Sequence, residues 1–116
     1  MNYLFVINDS PYGNERPYNA LRLALKLVKR DGVQVRVFLM GDGVQCAAVR
    51  QSTPDGYYNI ERMLKSVISK GGQVKACGTC SEARGIKGLT LIEGVEISTM
   101  SQLTLWTVES DKVITF

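Results

Sequence analysis

The chain has 116 residues, 45% of them hydrophobic, which predicts a single domain over residues 1–116 with enough apolar surface for a core. Its 14 basic and 11 acidic residues are spread along the sequence, which argues against a nucleic-acid-binding or membrane-surface protein. The N-terminal apolar run, residues 3–7, lacks a basic flank and is too short for a signal peptide or a membrane span. We therefore expect a cytoplasmic protein with reduced thiols.

The first elements in the chain are a strand and a helix. Residues 3–7 are continuously apolar, as in a strand buried on both faces. A turn follows, after which Asn14 is expected to cap a helix. The apolar residues of this helix recur at helical spacing until a stop near residues 31–32.

The next stretch predicts a second strand and a short helix. Residues 33–40 are mostly apolar and end at the glycine-rich turn of residues 41–43, which matches no nucleotide-binding fingerprint. Residues 44–49 are compatible with a short helix. It would carry Cys46 towards the same crevice as Cys77.

The second half continues the alternation of helices and strands. Residues 58–70 show a helical apolar face, residues 73–77 a buried strand and residues 95–97 a brief strand. Thr99 opens a capping-box pattern that predicts the start of a helix, and residues 112–116 predict a closing strand. This order predicts an α/β fold with a mainly parallel sheet covered on both faces.

The most informative stretch surrounds Cys77, at the end of the third predicted strand. Open α/β sheets place their ligand crevice at the carboxyl ends of strands. Gly78 allows a tight turn there, and Cys80 opens a short helix whose free N–H groups favour an anion. With Lys75 and Arg84 near in sequence, this setting is expected to lower the thiol pKa and make Cys77 a nucleophile.

A reactive site is not the only interpretation of these cysteines. Buried cysteines often only fill a core. A structural zinc site needs four ligands, and this chain has three cysteines and no histidine, so we expect no metal and no cofactor. A thioredoxin-like dithiol would require a proline downstream of the cysteine pair, whereas the three prolines all precede it.

Several motifs together resemble the DsrE/DsrF-like family, and in particular its YchN-type branch. The resemblance covers nearly the whole chain and is most specific in the first loop and around Cys77. The segments that carry it are residues 11–15, 19–24, 38–42, 77–85, 94–97 and 111–113.

The resemblance implies a three-layer α/β/α sandwich with a five-stranded parallel sheet and a homo- or hetero-hexameric assembly. For this chain we expect a homo-oligomer, either a trimer or a hexamer. In the sulfur-relay members a cysteine carries persulfide sulfur between proteins, and by motif position that cysteine is Cys77. Those members have a small apolar residue in place of Cys80, so the second thiol departs from their pattern. A resolving or redox role for Cys80 is therefore an alternative.

We therefore expect a sulfur carrier or sulfurtransferase-like protein that exchanges sulfur with donor and acceptor proteins. Cys77 and Cys80 would do the chemistry, with Lys75 and Arg84 stabilising the anion. The alternatives are a Cys77/Cys80 dithiol redox protein and a non-enzymatic oligomeric binding protein. The binding protein would use a pocket formed by the tyrosines Tyr12, Tyr57 and Tyr58.

Overall fold

The computed structural model describes all residues, 1–116, as alternating strands and helices. The strands are β1 Asn2–Ile7, β2 Gln34–Leu39, β3 Gln73–Cys77, β4 Val95–Ser98 and β5 Lys112–Thr115. The helices are α1 Arg16–Leu27, α2 Ile60–Ser69, α3 Gly78–Ala83 and α4 Met100–Glu109, with a 3₁₀-helix at Gly41–Ala47.

All five strands are parallel and lie in the order β4-β3-β2-β1-β5. Helices α1 and α2 pack against each other, while Trp106 of α4 meets Phe38 of β2 edge to face, with ring centres 6.1 Å apart. The predicted three-layer α/β/α sandwich with a five-stranded parallel sheet is confirmed. The chain adds β2, β3 and β4 on one side of β1 and β5 on the other, so the strand order reverses beside β1. Cys77 does not lie at this reversal point, because it ends β3.

The core is formed mainly by the central strands and the faces of α1 and α2 that meet them. Its largest fully buried side chains are Leu4, Phe5, Ile7, Leu21, Val35, Val37, Phe38, Leu39, Val44, Ile60, Leu64 and Ile92. The central strands are apolar on both faces because helices cover both sides of a parallel sheet.

Some predicted boundaries hold and others shift. Strand β3 has the predicted bounds, and Thr99 caps α4 by accepting the Gln102 N–H at 3.2 Å. The cap of α1 is Glu15 and not Asn14, whose side chain instead accepts the Arg16 N–H at 2.9 Å.

Three other predicted helices begin at different residues, and one of them is α3, which was expected to open at Cys80 and starts at Gly78. The short helix expected over residues 44–49 is a 3₁₀-helix that starts earlier, at Gly41. It packs so closely on β1 that a Cβ at Gly43 would collide with the Ile7 carbonyl. Helix α2 begins only after its cap Asn59, so Tyr58 lies outside it.

Candidate functional site

Cys77 is both the last residue of β3 and the N-cap of α3, because strand and helix join without a loop. Its side chain is 7% exposed, and its Sγ accepts the Cys80 N–H at 3.4 Å. The buried Ser81 hydroxyl donates to the Cys77 carbonyl oxygen at 2.7 Å. These contacts fix the thiol at the carboxyl edge of the sheet.

Gly78 was predicted to allow a tight turn after Cys77, but the structure shows a different reason for a glycine at this position. The residue is helical and does not belong to the glycines with positive φ, so it makes no left-handed turn. A Cβ at this position would instead lie 3.1 Å from the Ser98 carbonyl oxygen and 3.2 Å from Ile97 Cγ2. The glycine therefore allows β4 to approach the start of α3 closely.

The thiol opens onto a cavity of about 490 Å³, here called the Cys77 cavity. The carboxyl ends of β3 and β4 and the start of α4 surround it. Of the predicted site residues, Cys77, Gly78 and Cys80 line it, whereas Lys75, Arg84, Tyr12 and Cys46 do not. Its lining is Met40, Cys77, Gly78, Thr79, Cys80, Glu82, Lys87, Ile97, Ser98, Thr99 and Met100.

The expectation of a lowered thiol pKa is wrong. Burial raises the pKa of Cys77 above its usual range, and the Cys80 N–H that points at the sulfur offsets only part of that effect. The Cys80 thiol beside it adds to the rise. At neutral pH the resting Cys77 is therefore a protonated thiol.

The predicted anion-stabilising cations are both paired elsewhere. Lys75 Nζ lies 3.5 Å from a Glu96 carboxylate oxygen and 5.3 Å from the centre of the Trp106 ring. Arg84 bonds Asp42 through Nε and its second terminal nitrogen, both at 2.9 Å. Since their charges are compensated and neither side chain lines the cavity, the structure does not place Lys75 and Arg84 where they would stabilise a Cys77 anion, as was predicted.

Arg84 has a structural contact that the sequence did not indicate. Its first terminal nitrogen donates to the Cys80 carbonyl oxygen at 3.1 Å while its other nitrogens bond Asp42. The side chain therefore ties α3 to the 3₁₀-helix. This bridge fixes the helix that carries Cys80.

Cys46 does not face the crevice. Its side chain is fully buried, and its Sγ donates to the Asp9 carbonyl oxygen at 3.7 Å. Burial raises the pKa of this thiol to about 12. The expectation that Cys46 shares the site with Cys77 is therefore wrong, because the 3₁₀-helix turns it into the core.

The tyrosines form a stack and not a pocket. Tyr58 lies between Tyr18 and Tyr57, with ring centres 4.3 and 4.4 Å away, and Tyr12 stacks on it at 5.7 Å. The Tyr12 hydroxyl donates to Gln51 Oε1 at 2.6 Å and accepts the Ile60 N–H. Where the binding-protein alternative predicts a pocket, these tyrosines therefore form a stack that anchors the loop before α2.

Eight of the eleven residues that line the Cys77 cavity were not predicted as site residues, and four of them carry chemically distinctive side chains: Met40, Met100, Glu82 and Lys87. Met40 follows β2 and Met100 begins α4. Both side chains are apolar, so the sequence indicated only that they pack against other residues. Lys87 and Glu82 form an exposed ion pair at 3.6 Å. The only available signal was position, since Met40 follows β2 at the same sheet edge as Cys77.

A second cavity, of about 620 Å³, lies between the segment after the 3₁₀-helix and the one after α3. It holds no thiol. One of its lining residues, Arg50, has a left-handed backbone with φ of 62°, and the next N–H, of Gln51, donates to Glu61 at 2.8 Å. This strained turn is thus held by an internal carboxylate, and the larger cavity offers no group for thiol chemistry.

The remaining features concern metals, disulfides and membranes. All three cysteines are free, and no group of three or more His, Cys, Asp or Glu side chains is arranged as a metal site. None of the helices combines the length and apolar composition needed to cross a bilayer.

Fold and site together define a small three-layer α/β/α protein with a cysteine held at the carboxyl edge of a parallel sheet. The DsrE/DsrF-like family model matches residues 1–116, and the chain belongs to that family. It is 44% identical to protein YchN of Escherichia coli over 97% of each chain, and 47% identical to an uncharacterized protein of Methanopyrus kandleri, over 96% of this chain and 90% of that protein.

Solved structures agree with this assignment. The crystal structure of the YchN protein from Escherichia coli superposes with a TM-score of 0.89, at 41% identity and full coverage of both chains. A protein of unknown function from Methanobacterium thermoautotrophicum has a TM-score of 0.75 at 19% identity, over 100% of this chain and 99% of that one, and shares the fold. The recognition of the family from sequence motifs is confirmed.

Proposed function

We propose that the protein is a cytoplasmic sulfur carrier that accepts and passes persulfide sulfur on Cys77. The observation that carries the proposal is the placement of this cysteine, in a chain of the sulfur-relay-related DsrE/DsrF-like family, at the end of β3 against an open cavity. Two further thiols are available for comparison. Cys46 is enclosed in the core and Cys80 lines the same cavity.

The transfer consists of two thiol exchanges. The Cys77 thiolate attacks the outer sulfur of a donor persulfide, a new S–S bond forms on Cys77, and the donor leaves as a thiolate that takes up a proton. An acceptor thiolate then attacks the outer sulfur on Cys77 and releases the Cys77 thiolate. Since Cys77 rests as a thiol, its proton must leave before the first step.

The role of Cys80 separates this proposal from a dithiol redox protein. The Cys80 thiolate attacks the inner sulfur of the Cys77 persulfide, a disulfide forms and hydrosulfide leaves; a dithiol reductant then restores both thiols. This alternative is favoured by the position of both cysteines on one cavity, with the Cys80 N–H 3.4 Å from Cys77 Sγ.

The test is intact-protein mass spectrometry after anaerobic incubation with glutathione persulfide. The parent and Cys46→Ser proteins are expected to gain one sulfur atom, and Cys77→Ser none. In the carrier, Cys80→Ser loads and releases sulfur like the parent. A Cys77–Cys80 disulfide in the parent, with a longer-lived adduct in Cys80→Ser, assigns the redox role. An adduct retained by Cys77→Ser contradicts both.

We also propose that the chain works as a homo-oligomer, either a trimer or a hexamer. Helix α4 buries only Trp106 and leaves Leu105 and Val108 exposed, the latter at 78%, and Val113 of the neighbouring edge strand is exposed as well. An apolar surface of this kind is typical of a subunit interface. Sedimentation is expected to show an oligomer that Val108→Asp dissociates. A monomer at high micromolar concentration contradicts this proposal.

A further inference from the structure

Four sulfur-bearing side chains share the Cys77 cavity. The chain has four methionines and three cysteines, and two of each line this one cavity. They come from separate elements: Met40 follows β2, Cys77 ends β3, Cys80 lies in α3 and Met100 begins α4. The fold thus concentrates sulfur at one place in a way that no sequence motif shows.

The register of the sheet explains how these side chains meet. Leu39 of β2 pairs with Ala76 of β3, so the next residues, Met40 and Cys77, lie side by side at the sheet edge. Cys77 in turn pairs with Ser98 of β4, and Met100 comes two residues later. The bond from the Cys80 N–H to Cys77 Sγ holds the first turn of α3 against the thiol.

We propose that this cavity binds Cu(I) between the thiolates of Cys77 and Cys80, with a thioether of Met40 or Met100 as a further ligand. Thiolate and thioether sulfur are soft donors that select Cu(I). Two or three such ligands complete the coordination of this ion. On binding, Cu(I) replaces the two thiol protons, which pass to solvent, and no electron is transferred.

The remaining lining residues favour this ion over zinc. The chain has no histidine, and the only carboxylate on the cavity, that of Glu82, is 73% exposed and paired with Lys87. Zinc structural sites use four ligands drawn from thiolate, imidazole and carboxylate groups. Two thiolates with thioethers therefore match Cu(I) better than Zn²⁺.

This proposal goes beyond sulfur transfer, although both need Cys77. A chain with Cu(I) on Cys77 cannot accept persulfide sulfur, because both bind the same sulfur atom. Bound Cu(I) and a persulfide on Cys77 therefore exclude each other. The methionines separate the two proposals, because sulfur exchange between thiols needs no thioether. In the double variant Met40→Leu/Met100→Leu, Cys77 is still expected to gain a sulfur atom, whereas Cu(I) binding is expected to weaken.

The experiment is an anaerobic Cu(I) titration in competition with bicinchoninate, with X-ray absorption to count sulfur ligands. The parent is expected to bind one Cu(I) per chain. Cys77→Ser and Cys80→Ser are each expected to weaken binding by more than the ~100-fold that loss of an outer-shell partner causes. The double methionine variant should lose affinity and one sulfur ligand. The control Met63→Leu, outside the cavity, should match the parent.

Three results would overturn the proposal. The first is the absence of a one-to-one complex in the parent protein. The second is a Cys80→Ser protein with parental affinity, since Cu(I) would then not bridge the two cysteines. The third is a double methionine variant that equals Met63→Leu in both affinity and sulfur count.

Discussion

Cys46 makes the stability of the protein depend on alkaline pH. The thiol is fully buried, and its burial raises the pKa to about 12, against about 8.5 for an exposed cysteine. The unfolded chain therefore loses this proton several pH units before the folded chain does. The thiol contributes its full stability below about pH 8.5 and loses it as the pH rises towards 12.

The magnitude follows from the linkage between proton binding and folding. Between these two pKa values the free energy of unfolding falls by about 1.4 kcal/mol per pH unit, so the loss at pH 10 is about 2 kcal/mol. Replacing Cys46 with Ala removes the titrating group and leaves a small cavity, which costs about 1 kcal/mol at neutral pH. The variant is thus expected to be less stable than the parent near neutrality and more stable at about pH 10.

The assay is urea unfolding at fixed protein concentration, with reductant, from about pH 7.5 to about pH 10. All other titratable groups are common to both proteins, so their contributions cancel in the difference. Ala47→Gly is the control, because it alters a neighbouring buried residue that has no proton to lose. A constant difference between the parent and Cys46→Ala over this range would refute the reasoning.

Three further predictions concern the site and the elements that hold it. Alkylation of Cys77 by iodoacetamide should keep accelerating above pH 8.5, since burial raises its pKa; a plateau below pH 8 in site-resolved mass spectrometry contradicts this. Gly43→Ala should destabilise the protein by about 2–3 kcal/mol in urea unfolding because its Cβ meets the Ile7 backbone. Gly88→Ala, with open space around it, should change little; equal effects refute the argument. Ser81→Ala should cost about 1 kcal/mol by the same assay through its lost bond to the Cys77 carbonyl, and a neutral result contradicts that.

The sequence was sufficient to predict the fold because its signals are local and repeated. Strand β3 and the cap of α4 were placed correctly, since an apolar run and a Thr-x-x-Gln pattern act within a few residues. The 3₁₀-helix was misplaced because its start depends on packing against β1, where Gly43 meets the Ile7 carbonyl. That contact joins residues distant in sequence.

The site was predictable only in part, for a similar physical reason. The position of Cys77 follows from the end of a strand, which sequence patterns indicate. Its protonation state depends on burial and on where Lys75 and Arg84 place their charges, and those charges are paired with Glu96 and Asp42. Nearness in sequence could not distinguish a free cation from a paired one.

The arrangement of charge at Cys77 also bears on the nature of the proposed sulfur donor. A small anionic donor finds no free cation in the cavity, because the only lysine there, Lys87, is paired with Glu82, so it should load Cys77 slowly. The thiol is 7% exposed and protonated at rest, so it reacts slowly with anions in bulk solution. A protein donor that docks over the cavity excludes water, and a cation on its docking surface would then attract the Cys77 thiolate more strongly. Under the sulfur-carrier proposal, transfer from a docked protein should therefore be faster than transfer from an inorganic polysulfide at equal concentration, and the reverse order in loading kinetics would contradict this argument.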